Sequence, residues 1–332
     1  MIKSGDIETV VDFDIEFFNK EFIQKNKPAI IKGAAKNWPA FLKWDAKYLV
    51  EKIGNEIVKF KYSNTNLFPN PDKFQEPLVT KETTLTEYIN LLLQNNKNWI
   101  FLSGDNVCFV EDGLPNHKFD IIADDFNLPS FIPSKYLEKI GLWISQKGTA
   151  SSIHYDSNGC HNFNAQIKGS KRVILFEPQE SKKLYMNSMI ADLSFFNFSK
   201  VNWQELNYNK FPNIKHVQYV EGILEPGDAL FLPVFWLHYF DHLDKININI
   251  NFWWHPKEID LNSVSLSWIL CIAAAQMITP NHKMLSLRHK NNCRIIDKTN
   301  GSIDFTQEEI INFSRKLEEV LNSWNNGRPG GI

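Results

Sequence analysis

A chain of 332 residues, 43% of them hydrophobic, is long enough to bury one large core or two intimate ones. Its 36 basic residues nearly cancel its 38 acidic ones, and the formal net charge of -2 excludes a global pull toward nucleic acid or an anionic membrane. The four cysteines, Cys108, Cys160, Cys271 and Cys293, form no CxxC pair, which argues against a zinc ribbon and predicts a reducing, cytoplasmic setting.

The N-terminal residues contain no apolar run, so no signal peptide is expected. From Asp14 to Lys25, Ile15, Phe17, Phe18 and Phe22 form a helical stripe. KPAIIKG reads as a short strand stopped by Gly33, Tyr48 to Ile53 as helix, EIVKFKYS as strand, and Gln75 to Gln94 as loop then helix. Pro115 to Ser134, with Pro129 and Pro133, reads as a prolonged loop.

Beyond Gly141 the texture changes. GLWIS, NFNAQI, KRVILFEP, HVQYV, GILEPGD, ALFLP and INININF are short runs punctuated by Gly and Pro, as in an antiparallel sandwich or barrel. In INININF, Ile246, Ile248 and Ile250 share one face, and Asn247, Asn249 and Asn251 the other. An amide-lined interior face is costly unless partners, water or a ligand satisfy it. After Trp254 two helices are expected, Leu266 to Met277 and Phe305 to Trp324, the second with Thr306 and Glu309 in capping-box spacing. The longest apolar stretch, Trp268 to Ile278, is too short to span a bilayer, so no membrane partner is expected.

The sharpest local signal is SSIHYDSNGCHNFNAQIKGSKRVILF. His154 and Asp156 are two apart, so on a strand they point the same way and reach one ion. His238, in LFLPVFWLHYF, is placed at the end of another strand and supplies the third ligand. Two histidines and a carboxylate on one face leave three octahedral positions open, the facial triad of non-haem iron(II) oxygenases. HxD alone is a weak signal; here GxKR, EPGDALFLP and the second histidine follow it in order.

These stretches, with ININFWW and the earlier KPAIIKGAAKNWPAFLKW, resemble the JmjC-like cupins, a family that includes a protein asparaginyl hydroxylase and a tRNA base hydroxylase. The likeness runs from about residue 28 to 255. It implies a mainly β fold with flanking helices, a double-stranded β-helix (jelly-roll) core with iron at its mouth, and C-terminal helices. With the changes of texture at Gly141 and after Trp254, the chain is expected to divide into an α/β part over 1–140 integrated with the core, a catalytic core over 141–256, and a helical region over 257–332. The likeness implies Fe(II), 2-oxoglutarate and dioxygen, with His154, Asp156 and His238 as metal ligands. Lys171 matches the family lysine on the far carboxylate of 2-oxoglutarate, and Ser151 the hydroxyl that also binds it. Asn162 and Asn251 match asparagines near the cosubstrate. Two departures stand out: SNGCH makes a loop two residues longer beside the iron, and Phe101 stands where a relative has a 2-oxoglutarate-binding tyrosine.

Several residues have blander readings. Cys160 and His161 are expected to be loop residues rather than ligands, His242 structural, and Trp236, Trp253 and Trp254 core. Lys168 and Arg172 are the rivals of Lys171, and alternation puts them on the opposite face from it. The expected function is hydroxylation of a protein side chain. A modified tRNA base or small molecule, an N-methyl-lysine, and a non-oxidative metal-binding cupin stay open as alternatives. Leu317, Val320, Leu321 and Trp324 make the last helix a candidate homodimer face.

Overall fold

The computed structural model describes residues 2–63, 67–68, 71, 79–94, 99–104, 106–157, 159–187, 197–257 and 260. The two C-terminal helices and the homodimer face expected on them lie outside the described residues.

The core strands are β1 (Leu137–Gln146), β2 (Ala150–Ser151), β3 (His161–Lys168), β4 (Lys171–Phe176), β5 (Gln218–Leu224), β6 (Ala229–Leu232), β7 (Leu237–His242) and β8 (Ile246–Trp254). They pair antiparallel in two sheets, ordered β6-β3-β8-β1 and β5-β4-β7-β2. Consecutive strands alternate between the two facing sheets except at β4 and β5, which are neighbours in one sheet, and this is jelly-roll topology. Segments from the N-terminal half lengthen both sheets. Ile2–Asp6 joins β5 and Ala29–Ile31 joins β6, while Trp99–Leu102, Ile57–Ser63 and Val79–Thr84 extend the larger sheet beyond β1.

Amide and apolar faces of β8 separate as the period-two pattern requires. Ile248, Ile250 and Phe252 turn outward into a cluster with Phe18, Trp38, Leu85 and Tyr88. Burial of each such side chain contributes about 1.5–3 kcal/mol. Helices among the described residues supply that cover, Pro39–Lys43 behind Trp38 among them, and the starts of three others are legible. Asp14 caps Ile15–Phe18 through Phe17 N, Asp45 caps Ala46–Ile53 through Tyr48 N, and Thr84 with Glu87 forms a capping box on Leu85–Leu93. The outer face of the smaller sheet is covered by the connection between β4 and β5, whose Leu184, Val201, Phe211 and Ile214 pack on Ile174, Phe176, Leu237 and Tyr239.

Four details differ from the sequence expectation. Val79–Thr84 is a strand where a loop was expected, because it pairs along all of Ile57–Tyr62. His117–Asp125, inside the expected loop, is 3-10 helical in two pieces kinked at Phe119, the first capped by Asn116. HVQYV and GIL merge into the single strand β5. His238 does not end the ALFLP strand: it is the second residue of β7, reached through a turn over 233–236 in which Phe235 has φ 69°. A left-handed non-glycine residue costs on the order of 1–3 kcal/mol, and no hydrophobic pattern announces it.

Candidate active site

The turn before β7 is tied on three sides. Val234 N donates to His161 Nδ1 at 3.1 Å, Asn26 Nδ2 to Val234 O at 3.3 Å, and Trp236 Nε1 to Asn26 O at 2.7 Å. These bonds hold the strained Phe235 and deliver His238 into the space between the sheets. There the segment around His154 meets it: His154 N bonds to His238 O at 3.1 Å and His238 N to His154 O at 2.7 Å. On its other edge the same segment is held by 197–199. Ser199 N donates to Ile153 O at 2.8 Å, and Asn197 Nδ2 to Tyr155 O at 2.7 Å. Phe198 from that segment stacks on the His154 ring at 4.8 Å.

The donor atoms of His154, Asp156 and His238 lie within 4.8 Å of one another, the one such cluster among the described residues. Each has its second atom committed elsewhere. His154 Nδ1 lies 2.8 Å from Ser152 O, and His238 Nδ1 lies 3.1 Å from Trp236 O. A carbonyl only accepts, so both Nδ1 atoms carry the proton and both Nε2 atoms offer lone pairs. Asp156 Oδ2 accepts from Asn162 Nδ2 at 3.1 Å and Trp253 Nε1 at 3.0 Å, while Oδ1 sits 3.8 Å from His238 Nε2. Burial, then repulsion from His238, lowers His154 to about 3, so it is neutral at physiological pH. Burial pushes the Asp156 carboxyl up, but the two imidazoles and the bonds from Trp253 and Asn162 outweigh it and hold the carboxyl below its ordinary value. Two neutral imidazoles and one carboxylate, oriented before any ion arrives, fit a divalent first-row cation with open positions.

Beside this cluster a cavity of about 150 Å³ runs between the sheets. Ser151, Asn162, Lys171 and Asn251 all line it, as does Phe101. Asn251 Nδ2 donates to Asn162 Oδ1 at 3.1 Å and Asn249 Nδ2 to Asn251 Oδ1, so two amides of the β8 face join a relay that ends on Asp156, while the third, Asn247, donates to Asp244 O at 2.7 Å and keeps a buried Oδ1 without a hydrogen-bond partner. Lys171, 1% exposed, donates to Asn164 Oδ1 at 2.7 Å and lies over the Phe240 ring. Burial pushes its ammonium well below the ordinary lysine range. Arg172 points away onto Glu221 at 2.6 Å, and Lys168 is exposed. Gly169, with φ +69°, makes the turn that aims Lys171 inward, and a Cβ there would sit 2.5 Å from Ile246 O. Ser151 Oγ accepts from Phe240 N at 3.1 Å.

Cys160 and His161 stand apart from the ligand cluster. Cys160 Sγ lies 3.5 Å from His255 Nδ1, and His161 is the clamp on Val234. Sequence reasoning missed Asn164, Phe198, Phe240, Thr149 and His242 as cavity residues, and it read Trp253 as core. The alternation of Asn162, Asn164 and Gln166 in β3 was the available signal for Asn164.

A jelly roll with a histidine-aspartate-histidine cluster at one end of an interior cavity defines a metal-dependent cupin. The chain belongs to the JmjC-like cupins: its residues 15–259 match the cupin-like domain. It is 29% identical over 241 residues to lysine-specific demethylase 8 of Xenopus tropicalis, covering 72% of this chain and 51% of the relative. It is 29% identical over 262 residues to lysine-specific demethylase JMJ31 of Arabidopsis thaliana, covering 70% and 46%. It is 28% identical over 273 residues to human HSPB1-associated protein 1, covering 77% and 54%. The chain thus spans about half the length of the curated relatives it matches. JmjC-like cupins generally use Fe(II) and 2-oxoglutarate, which the donor set here fits. No helix among the described residues is long and apolar enough to cross a membrane.

Proposed function

We propose that the protein is an Fe(II)- and 2-oxoglutarate-dependent dioxygenase that hydroxylates a side chain of a protein substrate. The observation that carries this reading is the preset ligand cluster, with both Nε2 lone pairs and Asp156 Oδ1 left for an ion, beside a cavity that ends on a buried lysine. His154, Asp156 and His238 hold the metal. Lys171 and the Ser151 hydroxyl hold the far carboxylate of 2-oxoglutarate, and Asn162 and Asn251 fix Asp156 and wall the cosubstrate. When bound, iron and 2-oxoglutarate supply oxygen activation, which gives succinate, carbon dioxide and one oxygen atom on the substrate. The chain itself excludes water, with Phe101, Trp143, Phe198, Phe240 and Trp253 around the cavity.

Those same aromatic walls favour demethylation as a second reading, since ring faces accept an N-methylated cation. The relatives named as lysine-specific demethylases point the same way. One experiment separates the readings: anaerobically loaded protein is mixed with oxygen, 2-oxoglutarate and candidate peptides or tRNA. A hydroxylase gives succinate and a substrate heavier by one oxygen. A demethylase gives succinate and formaldehyde. Absence of succinate with every candidate sinks both and leaves a non-oxidative cupin.

A further inference from the structure

The closed end of the cavity holds a group for which the reading above has no use. His242 on β7 stands directly opposite Lys171 on β4, and directly opposed residues of an antiparallel pair share a face. Both line the cavity. His242 Nδ1 lies 3.0 Å from Thr149 O and 3.2 Å from Thr149 Oγ1. Thr149 Oγ1 gives its own proton to Gln146 O at 2.7 Å, so it too acts as an acceptor toward the ring. Two acceptors at Nδ1 fix the proton there. Nε2 therefore carries the lone pair of a neutral imidazole.

We propose that His242 is a second recognition residue for the far carboxylate of the cosubstrate, donating from Nε2 to that carboxylate beside Lys171. The inference rests on the 2-oxoglutarate reading above. Its geometric basis is a cation, Lys171, with a neutral amide and a ring face as its described partners, next to an imidazole that lines the same space and has its Nδ1 turned onto Thr149. A carboxylate has about four acceptor sites, more than one ammonium satisfies. Neutral Nε2 has no proton to give, so it must take one from solvent as the carboxylate enters. Burial, then repulsion from Lys171, lowers His242 to about 3. An arriving carboxylate reverses that repulsion.

The surroundings contain no rival anion directed at the ring among the described residues. Asp241, its neighbour on β7, pairs across the sheet with Arg172 on the opposite face. Asp244 in the next turn is held by Ser170 N and Oγ. Lys147 is exposed, Asn249 on β8 is neutral, and His238 lies four residues along the same strand. Lys171 alone sets the field that a ligand carboxylate would neutralise.

The test is calorimetric binding of 2-oxoglutarate to protein loaded with Mn(II) under nitrogen, in two pH 7 buffers of different ionisation enthalpy. Wild type should take up about one proton more per ligand than His242→Gln. The variant should bind on the order of tenfold more weakly, and its affinity should lose the rise toward lower pH. Any proton taken up by Lys171 is common to both proteins and cancels in the difference. 2-Oxobutyrate, which lacks the far carboxylate, should show no difference between them. If His242→Gln does not fold, spectra of ¹⁵N-histidine-labelled wild type loaded with Zn(II) read the ring directly, and Nε2 should gain a proton on ligand addition. Equal uptake in the two proteins, or an Nε2 that stays unprotonated in the complex, overturns the inference alone. Failure of wild type to bind 2-oxoglutarate overturns the oxygenase reading beneath it.

Discussion

The two ends of the cavity are built on opposite electrostatic plans. At the mouth, every donor atom not aimed at the ion position is already bonded: Nδ1 of His154 and His238 to carbonyls, Oδ2 of Asp156 to Asn162 and Trp253. At the closed end the buried charge of Lys171 meets an amide oxygen and a ring face. One end is prepared for a cation and the other for an anion. A ligand that chelates through one terminus and carries a carboxylate at the other fits in only one direction. On the function proposed, that polarity, more than the volume of the cavity, would select a 2-oxo dicarboxylate.

The largest break of this plan is loss of a ligand at the mouth. His154→Ala or Asp156→Ala should abolish iron binding and reduce succinate release to background, because two donors cannot hold iron in an open site. Metal content after anaerobic loading and gel filtration checks it, and a full complement of iron in either variant would refute the assignment.

Next comes the closed end. Lys171→Met removes the cation but keeps the volume. It should raise the 2-oxoglutarate requirement about a hundredfold, since losing one partner of a buried pair costs roughly 3 kcal/mol. The same change should raise the melting temperature of the apoprotein, because an ammonium buried without a carboxylate is itself costly. A cation at this end that merely packed would show the reverse: a lower melting temperature and an unchanged requirement.

Smaller still is a change behind the ligands. Trp253→Phe keeps the ring in the wall and deletes one of the two bonds to Asp156 Oδ2. Removal of such a supporting bond lowers metal affinity about tenfold. Titration with Fe(II) under nitrogen measures it, and an unchanged affinity would show that Asn162 alone orients the carboxylate.

The parts of this plan legible in the sequence are those that repeat or that sit in a familiar order. The period-two asparagines of β8 announced an amide face, and the relay from Asn249 to Asp156 gives Asn249 and Asn251 of that face their partners. HxD followed by EPGD and a second histidine announced the cluster. Lys171 was distinguished from Arg172 by alternation and resemblance, and β4 puts their side chains on opposite faces. His242 was not legible, because an isolated polar residue in an apolar strand looks like a satisfied core group. Neither was the strand that holds His238. Its turn depends on the positive φ of Phe235 and on contacts from Asn26 and His161, more than 70 positions away in the chain.

That distant clamp yields the last and smallest effect. His161 is fully buried, accepts from Val234 N through Nδ1, and is lowered to about 3 by burial and then by His255. His161→Phe keeps the ring contacts with Phe231 and Trp254 but leaves Val234 N without its acceptor. At pH 8 this should change stability by less than about 1 kcal/mol, because the variant exchanges one unsatisfied buried donor, His161 Nε2–H, for another, Val234 N. Acid changes the balance. Below about pH 6.5 an unfolded histidine binds a proton that folded His161 refuses until about pH 3. Wild type therefore loses stability as pH falls through that window, by up to about 1.4 kcal/mol per pH unit from this group alone. The phenylalanine variant is spared that loss. Urea denaturation from pH 8 to 5 should show the two proteins within about 1 kcal/mol at the alkaline end, with the variant gaining on wild type below pH 6.5 by up to about 1.4 kcal/mol per pH unit. A gap that stays constant across the series would mean that His161 is protonated in the fold, and that Val234 N is not bonded to its Nδ1.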